Sequence, residues 1–249
     1  ILTLVDLYQD KGYAFCDISP LTLINDDART VNLTFNITKG KEIYFNRINI
    51  LGNTKTRDKV IRRELKFAEG DRFSATNLKA SKKKLRNTTF FKETDMKLVR
   101  TEEPDKVNVD LSVEEKPTGT LSVGVGYSTS ENIILSGNVS QENFLGTGRK
   151  VYLEAAISGV TQEYRLSFIE PYIFDLNLSS GFSIFNFTRI LDTYDYRKFG
   201  GNVALVRPLT DDLKLSTKYR YETIDVYNID DAATQEIKDE EGTSRTSAL

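Results

Sequence analysis

From Gly119 onward the chain alternates with a period of two, and the face opposite its apolar residues carries glycine and hydroxyls instead of charge. In Gly119-Thr120-Leu121-Ser122-Val123-Gly124-Val125-Gly126-Tyr127, one face of a strand holds Leu121, Val123, Val125 and Tyr127. The other holds Thr120, Ser122, Gly124 and Gly126. A soluble sheet buries its apolar face and shows charge on the exposed one. The pattern here suits a barrel that is apolar outside and polar inside. Pro117 has no amide for a sheet ladder, so Glu115-Lys116-Pro117 marks a seam between two kinds of fold.

Beyond the seam the pattern predicts seven strands and the start of an eighth, near 119–128, 132–144, 149–158, 163–171, 177–188, 197–207 and 213–226, with the last opening at Thr243. In 213–223, Leu213, Leu215, Tyr219 and Tyr221 share a face, and Lys214, Lys218, Arg220 and Glu222 take the other, as a water-filled lumen or bulk solvent would allow. The connections Leu145–Gly148, Pro171–Leu176 and Pro208–Asp212 are short. Those near Leu191–Tyr194 and Tyr227–Gly242 are longer and polar.

Before the seam the residues predict small α+β modules. Residues 1–12 read as a helix stopped by Gly12. Strands follow at about 14–24 and 30–38, with a turn at Asn25-Asp26-Asp27. The order then restarts: a strand over 43–51, a helix capped by Thr56 and holding Val60, Ile61 and Leu65, and a second helix capped by Ser74. A strand from Phe90-Phe91 to Arg100, a turn over 102–105 and a strand carrying Val107, Val109, Leu111 and Val113 complete a β-α-α-β-β unit. Helix-β-β in the first forty residues matches the end of that unit, so the chain contains an internal repeat. Ile1 opens directly in the helix with no signal peptide before it, and the chain is expected to begin inside a longer protein.

Composition removes several functions. Among 249 residues there is no histidine, and Cys16 is the one cysteine, which excludes His-based triads, Cys/His zinc sites and internal disulfides. The net charge of −2 implies no nucleic-acid partner. It conceals a basic block over Lys55–Arg86 and an acidic one over Asp225–Glu241. The basic block reads first as a solvated helix face and second as a docking surface for a partner or lipid headgroups. The acidic block reads as a disordered external loop, with divalent cations bridged to lipopolysaccharide as the weaker alternative. Cys16 reads as a small packing residue. Gly146 and Gly148 lie between strands with no helix following, so they make a tight turn and not a phosphate loop. Phe144, Tyr172 and Tyr127 near strand ends suit aromatic belts. No cofactor, metal or catalytic centre is expected, and no paired acid motif for hydrolysis stands out.

A set of motifs resembles the Omp85 family of bacterial outer-membrane proteins. They include Ile48-Asn49-Ile50-Leu51-Gly52-Asn53, Arg62-Arg63-Glu64, Glu69-Gly70 and Phe90-Phe91-Lys92-Glu93-Thr94. They continue with Val113–Gly119, Gly124-Val125-Gly126-Tyr127, Glu142–Gly148 and Glu170-Pro171-Tyr172. The resemblance implies that 1–40 is the C-terminal part of one periplasmic POTRA module and 41–117 the complete last one. Residues 118–249 would be the N-terminal half of an antiparallel transmembrane barrel of about sixteen strands. The family's Val-Arg-Gly-Phe loop and closing strand are absent, and Leu249 falls within a strand.

The resemblance further implies a non-enzymatic assembly protein that folds and inserts barrel proteins. Its partners would be unfolded outer-membrane clients, periplasmic chaperones, accessory lipoproteins, and outer-membrane lipid and lipopolysaccharide. The strand Gly119, Thr120, Leu121, Ser122, Val123, Gly124, Val125, Gly126, Tyr127 would form a lateral gate that pairs with client strands. Arg62 and Glu69 bracket the first helix of the last module and the turn after it, and would mark an accessory-partner patch. The nearest alternative is an Omp85-family polypeptide transporter of the translocation-module or two-partner secretion type. A different class is a periplasmic binding module with a soluble β-sandwich after residue 119.

Overall fold

A computed structural model describes residues 2–25, 28–210 and 212–249. Ile1, Asp26 and Asp27 of the expected helix start and turn, and Asp211 of the connection at 208–212, lie outside the described residues. The chain divides into two compact units, Ile1–Lys116 and Pro117–Leu249.

In the first unit, α1 (Leu2–Asp10) ends at Gly12, whose φ of 93° is the left-handed stop that glycine favours. β1 (Asp17–Asn25) and β2 (Thr30–Thr38) pair antiparallel from Asp17↔Thr38 to Asn25↔Thr30. β1 therefore starts three residues later than the sequence suggested. The intervening residues form turns, with Ala14 buried against the following module. That module consists of β3 (Tyr44–Leu51), α2 (Asp58–Arg62), α3 (Ala75–Arg86), β4 (Phe91–Arg100) and β5 (Lys106–Glu115). The sheet order is β3-β5-β4, with β5 parallel to β3 and antiparallel to β4.

Central β5 carries the core. Val107 and Val109 pack with Ile43, Phe45, Ile48, Phe67 and Phe73, while Leu111 and Val113 pack with Val60, Ile61, Leu85, Phe90 and Phe91. Each such side chain contributes about 1.5–3 kcal/mol on burial, so this alternating strand suffices to fix the module without lipid. Ser74 caps α3 as its sequence predicts, accepting the Asn77 amide. Thr56 does not cap α2. The residue at that cap is Arg57, which makes no side-chain cap bond, and α2 is only five residues long, so Leu65 falls beyond it. Thr56 is instead buried, and its amide donates to Glu115 Oε1 at 2.6 Å. Lys55 N and Thr54 Oγ1 donate to Glu115 Oε2 at 2.9 and 2.8 Å. The last residue of β5 thus holds the loop that follows β3.

The repeated halves of this unit are joined through α1. Asp10 accepts the Ser74 hydroxyl at 2.9 Å, the Thr76 amide at 2.8 Å and the Thr76 hydroxyl at 2.6 Å, so one carboxylate from α1 sits on the first turn of α3. Lys79 Nζ reaches Asp6 at 2.7 Å, and the Ile43 amide donates to Gly12 O.

The second unit is one antiparallel sheet in chain order: β6 (Gly119–Ser128), β7 (Asn132–Phe144), β8 (Arg149–Ile157), β9 (Thr161–Glu170), β10 (Ser179–Ile190), β11 (Asp195–Pro208), β12 (Lys214–Tyr227) and β13 (Gly242–Ala248). Register keeps the two faces distinct from β6 to β12. One rung reads Leu121, Val139, Leu153, Leu166, Ile184, Gly201, Tyr221. The adjacent rung, on the other face, reads Ser122, Asn138, Glu154, Arg165, Phe185, Gly200, Glu222. On β9 the outer face runs from Glu170, paired with Arg149, through Phe168, Leu166 and Tyr164 to Gln162. That stretch, at about 3.3 Å per residue and a tilt of about 40°, is about 20 Å tall, close to the apolar band of a membrane barrel.

The acidic segment 225–241 is ordered, contrary to its reading as a disordered loop. Asp225 and Val226 belong to β12, and α4 (Gln235–Asp239) follows a turn in which Asp230 Oδ1 accepts the Ala232 amide. Lys238 Nζ donates to the Asp231 carbonyl at 2.7 Å, and the Asp230 amide to Thr193 O at 2.8 Å. The charges serve local turns.

Candidate functional site

β6 ends the sheet. It pairs with β7 from Gly119↔Gln141 to Ser128↔Asn132, and among the described residues no strand pairs its other edge. That edge carries the main-chain N–H and C=O groups of Gly119–Tyr127 through which the closing strand of a barrel pairs. Leu121, Val123, Val125 and Tyr127 project from one face and are 73, 76, 74 and 74% exposed. Such exposure of four large apolar side chains in a row fits a lipid-facing surface. Thr120, Ser122, Gly124 and Gly126 line the other face. The two glycines differ. A Cβ on Gly124 would lie 2.7 Å from Ser136 Oγ, whereas Gly126 opens on free space.

Side-chain ties between β6 and the rest of the sheet sit at its ends. At the base, Gln141 Nε2 donates to Thr118 Oγ1 at 2.8 Å and the Glu142 amide to Thr118 O at 3.0 Å. In the middle, the one such contact among the described residues is a 3.5 Å bond from Ser136 Oγ to Gly124 O. Farther along the polar face, Arg165 lies 2.7 Å from Glu163 and 3.9 Å from Glu154, and Arg220 lies 2.6 Å from Glu222. At the base of the same face, Glu142 on β7 pairs with Lys150 at 2.5 Å and accepts the Tyr152 hydroxyl at 2.6 Å, so charge begins one strand from β6. Thr118 and Gln141 have no motif of their own in the sequence; only register reveals that they meet.

Arg62 and Glu69 do come together. Arg62 Nη1 is 3.3 Å from Glu69 Oε1, and Arg62 Nε is 2.7 Å from Asp58 Oδ2. Both partners also serve β3: Arg62 Nη2 donates to Ile48 O at 2.8 Å and the Ile48 amide donates to Glu69 Oε1 at 2.9 Å. Ile48 borders the irregularity where the β3–β5 register shifts between Phe45 and Ile48, so the two charged side chains satisfy backbone groups at that break. The Ile48 amide, and then the Arg62 guanidinium, hold the Glu69 carboxyl below its ordinary pKa. The Asp58 carboxylate, with Glu69 behind it, raises that of Arg62. The pair is half-exposed and can meet a partner, but its bonds already have a structural use.

Residues 43–116 match the POTRA repeat (surface antigen variable number repeat), and residues 143–249 match the Omp85 superfamily domain. An outer membrane protein assembly factor BamA of Nitratidesulfovibrio vulgaris is 34% identical over 96% of this chain, and that of Neisseria meningitidis serogroup B is 33% identical over 80%. The matched regions make up 30 and 24% of those proteins, so the chain spans less than a third of their length. The crystal structure of BamA from Haemophilus ducreyi lacking POTRA domains 1–3 superposes with a TM-score of 0.82 over 99% of this chain and 49% of that one, at 23% identity. CdiB from Escherichia coli gives 0.58 over 98% of this chain and 46% of that one, at 15% identity.

Proposed function

We propose that this chain, which belongs to the Omp85 superfamily, is part of the central subunit of an outer-membrane protein assembly machine and that β6 is its client-pairing gate. The strands of the second unit lie in the bacterial outer membrane and the POTRA modules in the periplasm. Residues 1–40 are read as the end of one POTRA module, 41–117 as the last one and 118–249 as the first half of the barrel. The observation that carries the proposal is the make-up of β6, which has two glycines on its polar face and one mid-strand side-chain tie to β7, in a sheet that is apolar on one face and polar on the other. The assembly-factor relatives support it.

The chemistry is hydrogen bonding without a bond-making step. In hydrocarbon an unpaired backbone group costs several kcal/mol, so a client strand gains by completing its ladder on β6 before it leaves water. Main-chain pairing accepts many sequences, while alternation fixes which client face meets lipid. Unfolded clients would reach β6 from the POTRA modules, delivered by periplasmic chaperones. Accessory lipoproteins would dock on the Arg62–Glu69 patch.

Single cysteines at Thr120 or Ser122 in the full-length protein should crosslink to a stalled client's terminal strand in a fixed ladder. A disulfide from β6 to the protein's own final strand should stop assembly, and reduction should restore it. Normal assembly by the locked barrel would move the function away from this edge. A second reading within the same family is a polypeptide transporter, in which the locked seam leaves export intact.

A further inference from the structure

The outer ends of the first two hairpins are tied by one carboxylate. Glu131 lies in the three-residue loop between β6 and β7, half-buried, and followed by Asn132 at a left-handed φ of 59°. Its Oε2 accepts the Ser158 hydroxyl at 2.9 Å, from the β8–β9 connection, and its Oε1 the Thr161 hydroxyl at 3.2 Å, from the start of β9. Its carbonyl accepts the Gly159 amide at 3.4 Å. Ser158 Oγ also accepts the amides of Val160 at 3.2 Å and Thr161 at 2.8 Å, and Val160 O accepts Ile190 N at 2.8 Å, at the end of β10. A continuous path of hydrogen bonds therefore runs from the tip of the β6 hairpin into the body of the sheet.

A short polar loop at a membrane surface can be satisfied by water alone, so this carboxylate needs a reason to hold the neighbouring hairpin. β6 supplies one. Among the described residues its middle has a single side-chain tie to β7, and its base is held by Thr118 and Gln141. Without Glu131 the tip would be the place where the strand frays.

We infer that Glu131 is a positioning residue for β6, pinning the tip of the β6–β7 hairpin to β8–β9 so that β6 stays extended and in register for an incoming strand. This rests on the reading of β6 as the client-pairing edge. A preorganised edge loses less conformational freedom when a partner adds. The pin also means that β6 to β9 move as one body when the seam opens, with β6 remaining on β7.

The test uses the full-length protein in micelles for amide exchange and in vesicles for client assembly. Glu131→Ala should speed exchange at residues 125–128 and 132–134 by about tenfold, the scale of a lost hydrogen bond to a charged group. Client assembly should slow several-fold, and the protection of 107–113 should not change. Ser158→Ala with Thr161→Val should reproduce both effects and add nothing on top of Glu131→Ala. This pair carries the measurement if Glu131→Ala accumulates poorly. Unchanged exchange in either variant overturns the pin. Faster exchange with normal assembly also overturns the positioning role, and then the fault lies with β6 as the pairing edge and not with the contact.

Discussion

Thr56 and Glu115 stand 59 residues apart in the sequence and are joined by a 2.6 Å hydrogen bond, the amide of one donating to the carboxylate of the other. Glu115 is the end of β5 and nearly the end of the POTRA module, and it closes the loop from Gly52 to Thr56. Burial raises its pKa, but the Thr56 hydroxyl and amide, the Lys55 amide and the Thr54 hydroxyl outweigh that and bring it down to about 2.

A carboxyl with a depressed folded pKa stabilises the fold above its unfolded value and ceases to as pH falls through the folded one. Glu115 should therefore contribute fully above about pH 5, and its contribution should fade between its ordinary value of 4.5 and about 2. Urea midpoints recorded from pH 7 to pH 2 should fall more steeply in the native protein than in Glu115→Gln. The two curves should converge at the acid end. Parallel curves would mean that the bonds are not formed in solution.

Residues 43–116 should fold alone in water, because their core needs no lipid. Expressed without detergent, they should show slowly exchanging amides over 107–113, and a molten product would contradict this. Within that module Gly52 has a φ of 90°, and a Cβ there would sit 2.1 Å from Val113 O. Gly52→Ala should cost about 3 kcal/mol or more, combining left-handed strain with displacement of the central strand. Gly70 has a similar φ of 91° and nothing within 4 Å, so Gly70→Ala should cost only the strain, about 1–2 kcal/mol.

Asp10→Ala should remove the carboxylate from the first turn of α3 and cost about 1–2 kcal/mol, the scale of a lost cap. Faster exchange at Thr76 and Asn77, measured on the 1–116 unit, would report it. No change there would leave the union of the two modules to the Lys79–Asp6 pair, the Ile43–Gly12 bond and packing.

Arginine at Val123 should destabilise the folded barrel by about 2–4 kcal/mol, and arginine at Ser122 by much less, since one faces lipid and the other the polar interior. Heat-modifiable migration of the full-length protein gives the comparison. Equal tolerance would reverse the assignment of faces.

The strands of the second unit were legible because period-two alternation is a local signal, and Ser74 was legible as a cap because its bond reaches only three residues. Thr56 was misread for the opposite reason: its amide goes to Glu115, a partner that no local window contains. The charge of the acidic segment suggests disorder, whereas several of its polar groups close turns on each other. For the candidate site, alternation points to β6, but it cannot show how few side chains tie its middle to β7, which depends on cross-strand register. The role of Arg62 and Glu69 at the Ile48 backbone depends on a break in strand register, and Glu131 on two loops meeting. Neither leaves a trace in spacing.

The alternation of β6 also constrains how such a strand can change in length. Replacing one side chain leaves its neighbours where they are. Adding or removing one residue between Gly119 and Ser128 exchanges inside for outside at every position beyond the change, placing Val125 and Tyr127 in the aqueous channel and glycine and serine against the acyl chains. Lengthening or shortening by two preserves both surfaces. The strand is therefore read in dipeptide frames, and frameshifts of one residue are the changes it can least absorb.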